Sequence, residues 1–115
     1  MKTILIVDDC AEMRQLVKQI VRKLSETVFE REDGDEVLTA YDKYRPDWVV
    51  MDVEMKRMDG LTATAILVSH HPQAKVVVVT KYADANTREA AMKAGAVSFV
   101  GKDDLLCLRS ILQTV

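Results

Sequence analysis

The 115-residue sequence predicts an α/β domain, a doubly wound parallel sheet of five strands with helices on both faces. Three observations point there. Apolar, β-branched segments alternate five times with segments of helical periodicity. Several strand segments, Ile4–Val7 and Val76–Val79 among them, are apolar throughout, as strands covered on both faces must be. Acids and a hydroxyl close these runs, at the strand ends where open parallel sheets gather their function.

The elements follow in order. Thr3–Val7 reads as a buried strand stopped by Asp8-Asp9. Met13, Leu16, Val17, Ile20, Val21 and Leu24 recur at helical spacing and give an amphipathic helix from about Ala11 to Leu24. Thr27–Arg31 is a short second strand, and Asp33-Gly34-Asp35 is turn chemistry. A helix from about Asp35 to Tyr44 is ended by Pro46. Trp48–Met51 is a strand ending at Asp52, and Val53–Gly60 a loop. Leu61–His70 is a third helix closed by Pro72, and Lys75–Thr80 a strand with four consecutive valines. Asn86 is the expected N-cap of a helix reaching Ala94, with Gly95 just past its end. Ser98–Gly101 is the fifth strand and Asp103–Gln113 the last helix.

Composition narrows the function classes. Hydrophobic residues make up 49% and charged residues 30%, the profile of one globular domain spanning residues 1–115. A net charge of −2 argues against binding nucleic acid through a basic excess. The apolar runs are too short to span a bilayer, and the start lacks a signal-peptide pattern, so a cytoplasmic location with no membrane partner is expected. Cys10 and Cys107 match no metal or disulfide pattern and read as reduced thiols.

Asp8, Asp9, Asp52, Thr80 and Lys102 stand at or just beyond strand ends, so a doubly wound sheet brings them into one small volume. Carboxylates so gathered repel, by about 4 kcal/mol per pair at about 4 Å in an effective dielectric near 20. Lys102 offsets part of that, and a hard divalent cation such as Mg²⁺ suits the oxygens that remain. Metal, lysine and a hydroxyl together are the parts of a phosphoryl-transfer site.

The ordered set of motifs resembles the receiver domain of two-component response regulators over essentially the whole chain. The residues that carry the resemblance are Ile4-Leu5-Ile6-Val7-Asp8-Asp9 with Met13-Arg14, Pro46-Asp47 before Val49-Val50-Met51-Asp52, Met58-Asp59-Gly60, Thr80, Ala94-Gly95-Ala96, Phe99 and Lys102. The resemblance implies a chemotaxis-receiver-like, flavodoxin-like fold with strand order 2-1-3-4-5 and five helices. It implies Asp52 as phosphoacceptor. It implies Asp8, Asp9, Asp52 and the backbone carbonyl of Glu54 around Mg²⁺ (or Mn²⁺), with Asp8 acting through water. Thr80 and Lys102 would hold phosphoryl oxygens, and Thr80 with Phe99 would form the switch. The implied donor is a sensor histidine kinase or a histidine phosphotransfer protein. The implied output face, helix 4–strand 5–helix 5, pairs two receivers in a phosphorylation-dependent homodimer.

Three positions depart from the family pattern: Lys56 where Pro is frequent, Lys81 where a small residue follows the threonine, and Asp103 where Pro often follows the lysine. Lys81, at the lip of the pocket, is a candidate gatekeeper. The sequence also leaves open a receiver that only binds a partner, and a phosphohydrolase with an aspartyl nucleophile. The latter needs a general acid, for which Glu54 is the candidate, and a substrate cap for which 115 residues leave no room. Asp59-Gly60 reads as a turn, and His70-His71 as an exposed helix end.

Overall fold

In the computed structural model, which describes residues 2–113, all five strands are parallel and lie in the order β2-β1-β3-β4-β5. They are β1 (Lys2–Val7), β2 (Ser25–Arg31), β3 (Trp48–Asp52), β4 (Val76–Thr80) and β5 (Ser98–Gly101). The helices between and after them are α1 (Ala11–Val21), α2 (Val37–Tyr44), α3 (Gly60–His70), α4 (Ala85–Ala94) and α5 (Cys107–Leu112). The expected fold class, strand order and helix number are all present. Met1, Thr114 and Val115, the ends of the expected 1–115 unit, lie outside the described residues.

Alternation along each strand builds two cores, one on either face of the sheet. Leu5, Val7, Val49, Met51, Val76 and Val78 face α2, α3 and α4, where Tyr41, Leu67 and Ala91 meet them. Ile4, Ile6, Trp48, Val50, Val77 and Val79 face α1 and α5, against Val17, Val21, Leu108 and Leu112. Burial on both sides is why β3 and β4 are apolar at every position before their polar ends.

The helix boundaries differ from the sequence expectation in informative ways. Helix α1 ends at Val21, not Leu24; a turn follows, yet Leu24 still packs on the core, so its apolar spacing reported burial rather than helix. Residues Gly34–Glu36 form a 3₁₀ turn ahead of α2, capped by Asp33. The cap of α4 is Asp84, not Asn86: its Oδ1 accepts from the Thr87 N–H at 2.7 Å. Either residue type caps well, and the backbone enters the helix two residues earlier than the asparagine suggested. The last helix is also shorter than Asp103–Gln113, with a 3₁₀ turn at Lys102–Asp104 before it.

Candidate functional site

The site begins with the ends of β1 and β3, paired through Val7 and Met51, so that the acids following each arrive side by side. Asp8 is buried; its Oδ1 accepts from the Cys10 N–H at 2.9 Å, and its own N–H donates to the Arg31 carbonyl at 3.1 Å. Arg14, from the first turns of α1, donates to the Asp8 carbonyl at 2.6 Å and to Glu30 Oε1 at 3.0 Å. Lys18 reaches the other Glu30 oxygen at 3.1 Å. Burial opposes ionisation of Glu30, but these two cations outweigh it and hold its carboxyl below the ordinary range. Arg14 thus ties the backbone under the acid pair to β2 and α1. The sequence marked Arg14 only as part of a motif, because its partners are distant in the chain.

Asp52 is 5% exposed and lies opposite Val79 in the sheet register. Gly60 packs on its carbonyl so closely that a Cβ there would fall 1.8 Å from the oxygen. The Asp59-Gly60 pair is therefore more than a turn: Asp59 caps α3 through the Thr62 N–H at 2.8 Å, and Gly60 lets the helix start against the end of β3.

Lys102 follows the end of β5, and its Nζ lies 3.0 Å from Asp52 Oδ1 and 3.4 Å from Asp8 Oδ2. Asp8, Asp9 and Asp52 each offer a carboxylate oxygen, all within 4.8 Å of one another. Burial first, then the neighbouring Asp8, push the Asp52 carboxyl up to about 6; Lys102 only partly offsets this. Burial pulls the Lys102 ammonium down, but its bonds to Asp52 and Asp8 outweigh that and leave it above its ordinary value. Three carboxylates against one ammonium leave the cluster short of positive charge. Closely spaced hard oxygen donors open to solvent at Asp9 fit a magnesium-sized dication that keeps several waters.

Of the five residues expected to converge, Asp8, Asp9, Asp52 and Lys102 come together, and Thr80 makes no hydrogen bond with them. A cavity of about 250 Å³ is lined by Asp9, Cys10, Met13, Asp52, Glu54, Lys81 and Lys102. Thr80, the residue before Lys81, is buried, and its hydroxyl oxygen accepts from the Tyr82 N–H at 3.0 Å. Strand alternation turns Thr80 toward the α4 side, the side on which half-buried Phe99 packs. Glu54 and Lys81 are both exposed at the rim, and Lys56 is exposed on the loop. Cys10 and Met13 form part of the wall, which sequence reading did not anticipate. Both cysteines are free thiols. His70 is exposed as expected, but His71 is half-buried, 2.7 Å from Asp42 and tilted over Tyr41, at the helix ends far from this site.

A doubly wound 2-1-3-4-5 sheet with an acid triad and a lysine at its carboxyl ends defines a class of phosphorylation-based signalling switches. The chain belongs to the response regulator receiver domain family, whose model matches residues 4–112. It is 39% identical over 103 residues to the chemotaxis protein CheY of Listeria monocytogenes, covering 89% of this chain and 87% of that one. Among solved structures it resembles Vibrio cholerae CheY4, with a TM-score of 0.88, 24% identity, and coverage of 98% of this chain and 97% of that one. It also resembles a chain in the CheX-CheY-BeF3-Mg²⁺ complex from Borrelia burgdorferi, with a TM-score of 0.87, 23% identity, and coverage of 95% and 84%. No helix among the described residues is long and apolar enough to cross a membrane.

Proposed function

We propose that Asp52 accepts a phosphoryl group from a phosphohistidine of a sensor kinase or histidine phosphotransfer protein, and that the acyl phosphate switches the α4–β5–α5 face. The observation that carries this reading is the Lys102 ammonium 3.0 Å from a buried Asp52 carboxylate that two further acids flank. An Asp52 oxygen attacks phosphorus, the P–N bond breaks, and the imidazole leaves with its electron pair. Asp8, Asp9, Asp52 and the Glu54 carbonyl are the groups that would hold Mg²⁺ or Mn²⁺, Asp8 through water. Bound there, the dication neutralises charge on the transferred oxygens.

The chain's own groups supply the rest. Lys102 is already placed beside the carboxylate that gains the phosphate, so its charge needs no reorganisation. The Thr80 hydroxyl accepts from Tyr82 but keeps its own proton to donate, so it can follow a phosphoryl oxygen. Movement of Thr80 changes the packing beside Phe99, and a dimer through the α4–β5–α5 face is the output this reading favours. Such donors work in the cytoplasm, and the reading places residues 1–115 there as one phosphoacceptor unit that promotes its own loading and hydrolysis.

Incubation with acetyl phosphate and Mg²⁺, followed by intact mass, tests the proposal. The expected result is a single phosphoryl adduct, lost in Asp52→Asn with the fold retained. Stoichiometric labelling of that variant at another residue, or turnover with no adduct, would overturn it.

A further inference from the structure

Asp33 is a buried carboxylate, 2% exposed, that the proposed chemistry does not use. Its Oδ2 accepts from the Arg57 N–H at 2.9 Å, and its Oδ1 from the Met58 N–H at 2.9 Å. The bond that caps its own turn, from the Asp35 N–H, is the longest of the three at 3.3 Å. Burial alone would favour the protonated acid, but these three backbone donors outweigh it and keep the carboxyl below its ordinary range. Asp33 is therefore a fixed anion that serves the loop after Asp52 as much as its own helix.

Val53, Met55 and Met58 pack their side chains on the core, but the loop backbone between them has few partners. Its base is closed by the Gly60 N–H donating to the Val53 carbonyl at 2.7 Å. Among the described residues, no backbone–backbone hydrogen bond reaches residues 54–58. The neighbouring turn also approaches closely: a Cβ on Gly34 would fall 2.5 Å from the Met58 carbonyl oxygen. The Arg57 guanidinium returns to Asp35 with contacts of 2.7 and 3.1 Å, but that pair is largely exposed and weak by comparison. The buried anion is the polar anchor of the backbone at Arg57 and Met58.

We propose that Asp33 is a positioning residue for phosphoryl transfer: by fixing the backbone at Arg57–Met58 it fixes the stretch that carries the Glu54 carbonyl beside Asp52. This rests on the reading of Asp52 as phosphoacceptor. Releasing Arg57 and Met58 frees the chain between Val53 and the loop's far side, and the carbonyl three residues before Arg57 loses its fixed direction. A ligand set held in one geometry binds better than one that must be ordered on binding.

The test uses the full chain, with initial labelling rate by acetyl phosphate and Mg²⁺ affinity by calorimetry as readouts. Asp33→Ala is expected to lower both three- to tenfold. Asp33→Asn keeps one acceptor oxygen and is expected to fall between. Val21→Ala, in the core on the opposite face, is the control for lost stability and should leave both readouts unchanged while lowering the melting temperature. Wild-type rate and affinity in Asp33→Ala would overturn the proposal, as would equal losses in Val21→Ala. If Asp33→Ala does not fold, unchanged affinity in Asp33→Asn overturns it instead. Should the wild type take no label, the phosphoacceptor reading falls, and the magnesium comparison still decides the role of Asp33.

Discussion

Lys102 Nζ and Asp52 Oδ1 are 3.0 Å apart, with side chains only 11% and 6% exposed. A buried pair of this kind stays ionised only where the attraction between the two charges repays the cost of taking both out of water. Here the lysine is shared with Asp8 at 3.4 Å, and Asp9 stands close by. Burial first, and then one cation shared among several anions, keep Asp52 hard to ionise and push it up to about 6. The site is built with a charge deficit that a dication and then a phosphoryl group can exploit.

The first consequence is for stability. Asp52 has an ordinary value of 3.8 and a folded value of about 6. Between those pH values the folded chain holds a proton that the unfolded chain has released, so Asp52 makes stability fall as pH rises through that window. The full cost is present above about pH 6. Asp52→Asn removes it and leaves Lys102 paired with Asp8. The variant should be more stable than wild type by about 1–2 kcal/mol at pH 7, less than the two-unit shift would give because Asn bonds Lys102 less well. The advantage should vanish toward pH 4. Urea unfolding of both proteins from pH 4 to 7.5 measures it; a difference that does not change with pH would sink the argument.

Magnesium binding should follow the same proton. Below about pH 6 the metal must displace a proton from Asp52, so affinity should fall by up to tenfold per pH unit. Asp9→Ala should weaken binding at least tenfold at pH 7, since too few carboxylates remain for an ion that keeps most of its waters. Calorimetry in Mg²⁺ is the measurement. Trp48 is a poor reporter: it is buried at the opposite end of β3 from Asp52, roughly 13 Å away at strand rise. Unchanged affinity in Asp9→Ala would refute the ligand set.

The fold and the acid cluster were legible because both are written in local chemistry. Unbroken valine and isoleucine runs mark strands covered on two faces, and the polar residue closing each run lies at the site. Helix ends were less legible. Leu24 keeps helical spacing without being helical, and Asp84 and Asn86 are both good caps that only the backbone path distinguishes. The contacts of Asp33 and Arg14 are illegible for a different reason. Asp33 reads as a turn acid and Arg14 as part of a motif, while their principal partners lie in other elements. The Asp33-x-x-Glu36 spacing does signal the capping box that the structure contains. Nothing in it signals a carboxylate that reaches the loop after Asp52.

Phosphorylation should be felt at Phe99. Helix α4 contributes one buried residue, Ala91, so little apolar area holds it against the sheet. Thr80 ends β4 beside it, and Phe99 is only half-buried on the same side. Drawing Thr80 toward a phosphate alters the packing under both. Amide shifts on addition of beryllofluoride and Mg²⁺ should therefore extend from the loop after Asp52 through Lys81–Arg88 and Phe99. Phe99→Ala should leave the labelling rate within about twofold, since it touches none of the reacting groups, while abolishing any phosphorylation-dependent dimer. Shifts confined to the Val53–Gly60 loop would count against a switch on this face.

Lys81 should slow loss of the phosphate. It follows Thr80 directly, is exposed, and lines the cavity together with Glu54 and Lys102. Its long stem can cover the opening through which water must approach the acyl phosphate, and its ammonium can occupy a phosphoryl oxygen. Bulk and charge make separable predictions. Lys81→Ala removes both and should speed dephosphorylation by about three- to tenfold, which is about 0.7–1.4 kcal/mol of barrier. Lys81→Met keeps most of the bulk and removes the charge. If only the alanine variant speeds up, the stem is the shield and the charge is incidental. If both speed up alike, the ammonium on the phosphate is the cause. Neither variant should change thermal stability by more than about 0.5 kcal/mol, because the side chain is at the surface. Dephosphorylation followed by intact mass after removal of acetyl phosphate gives the rates, and wild-type rates in both variants would leave Lys81 a solvated side chain with no part in the chemistry.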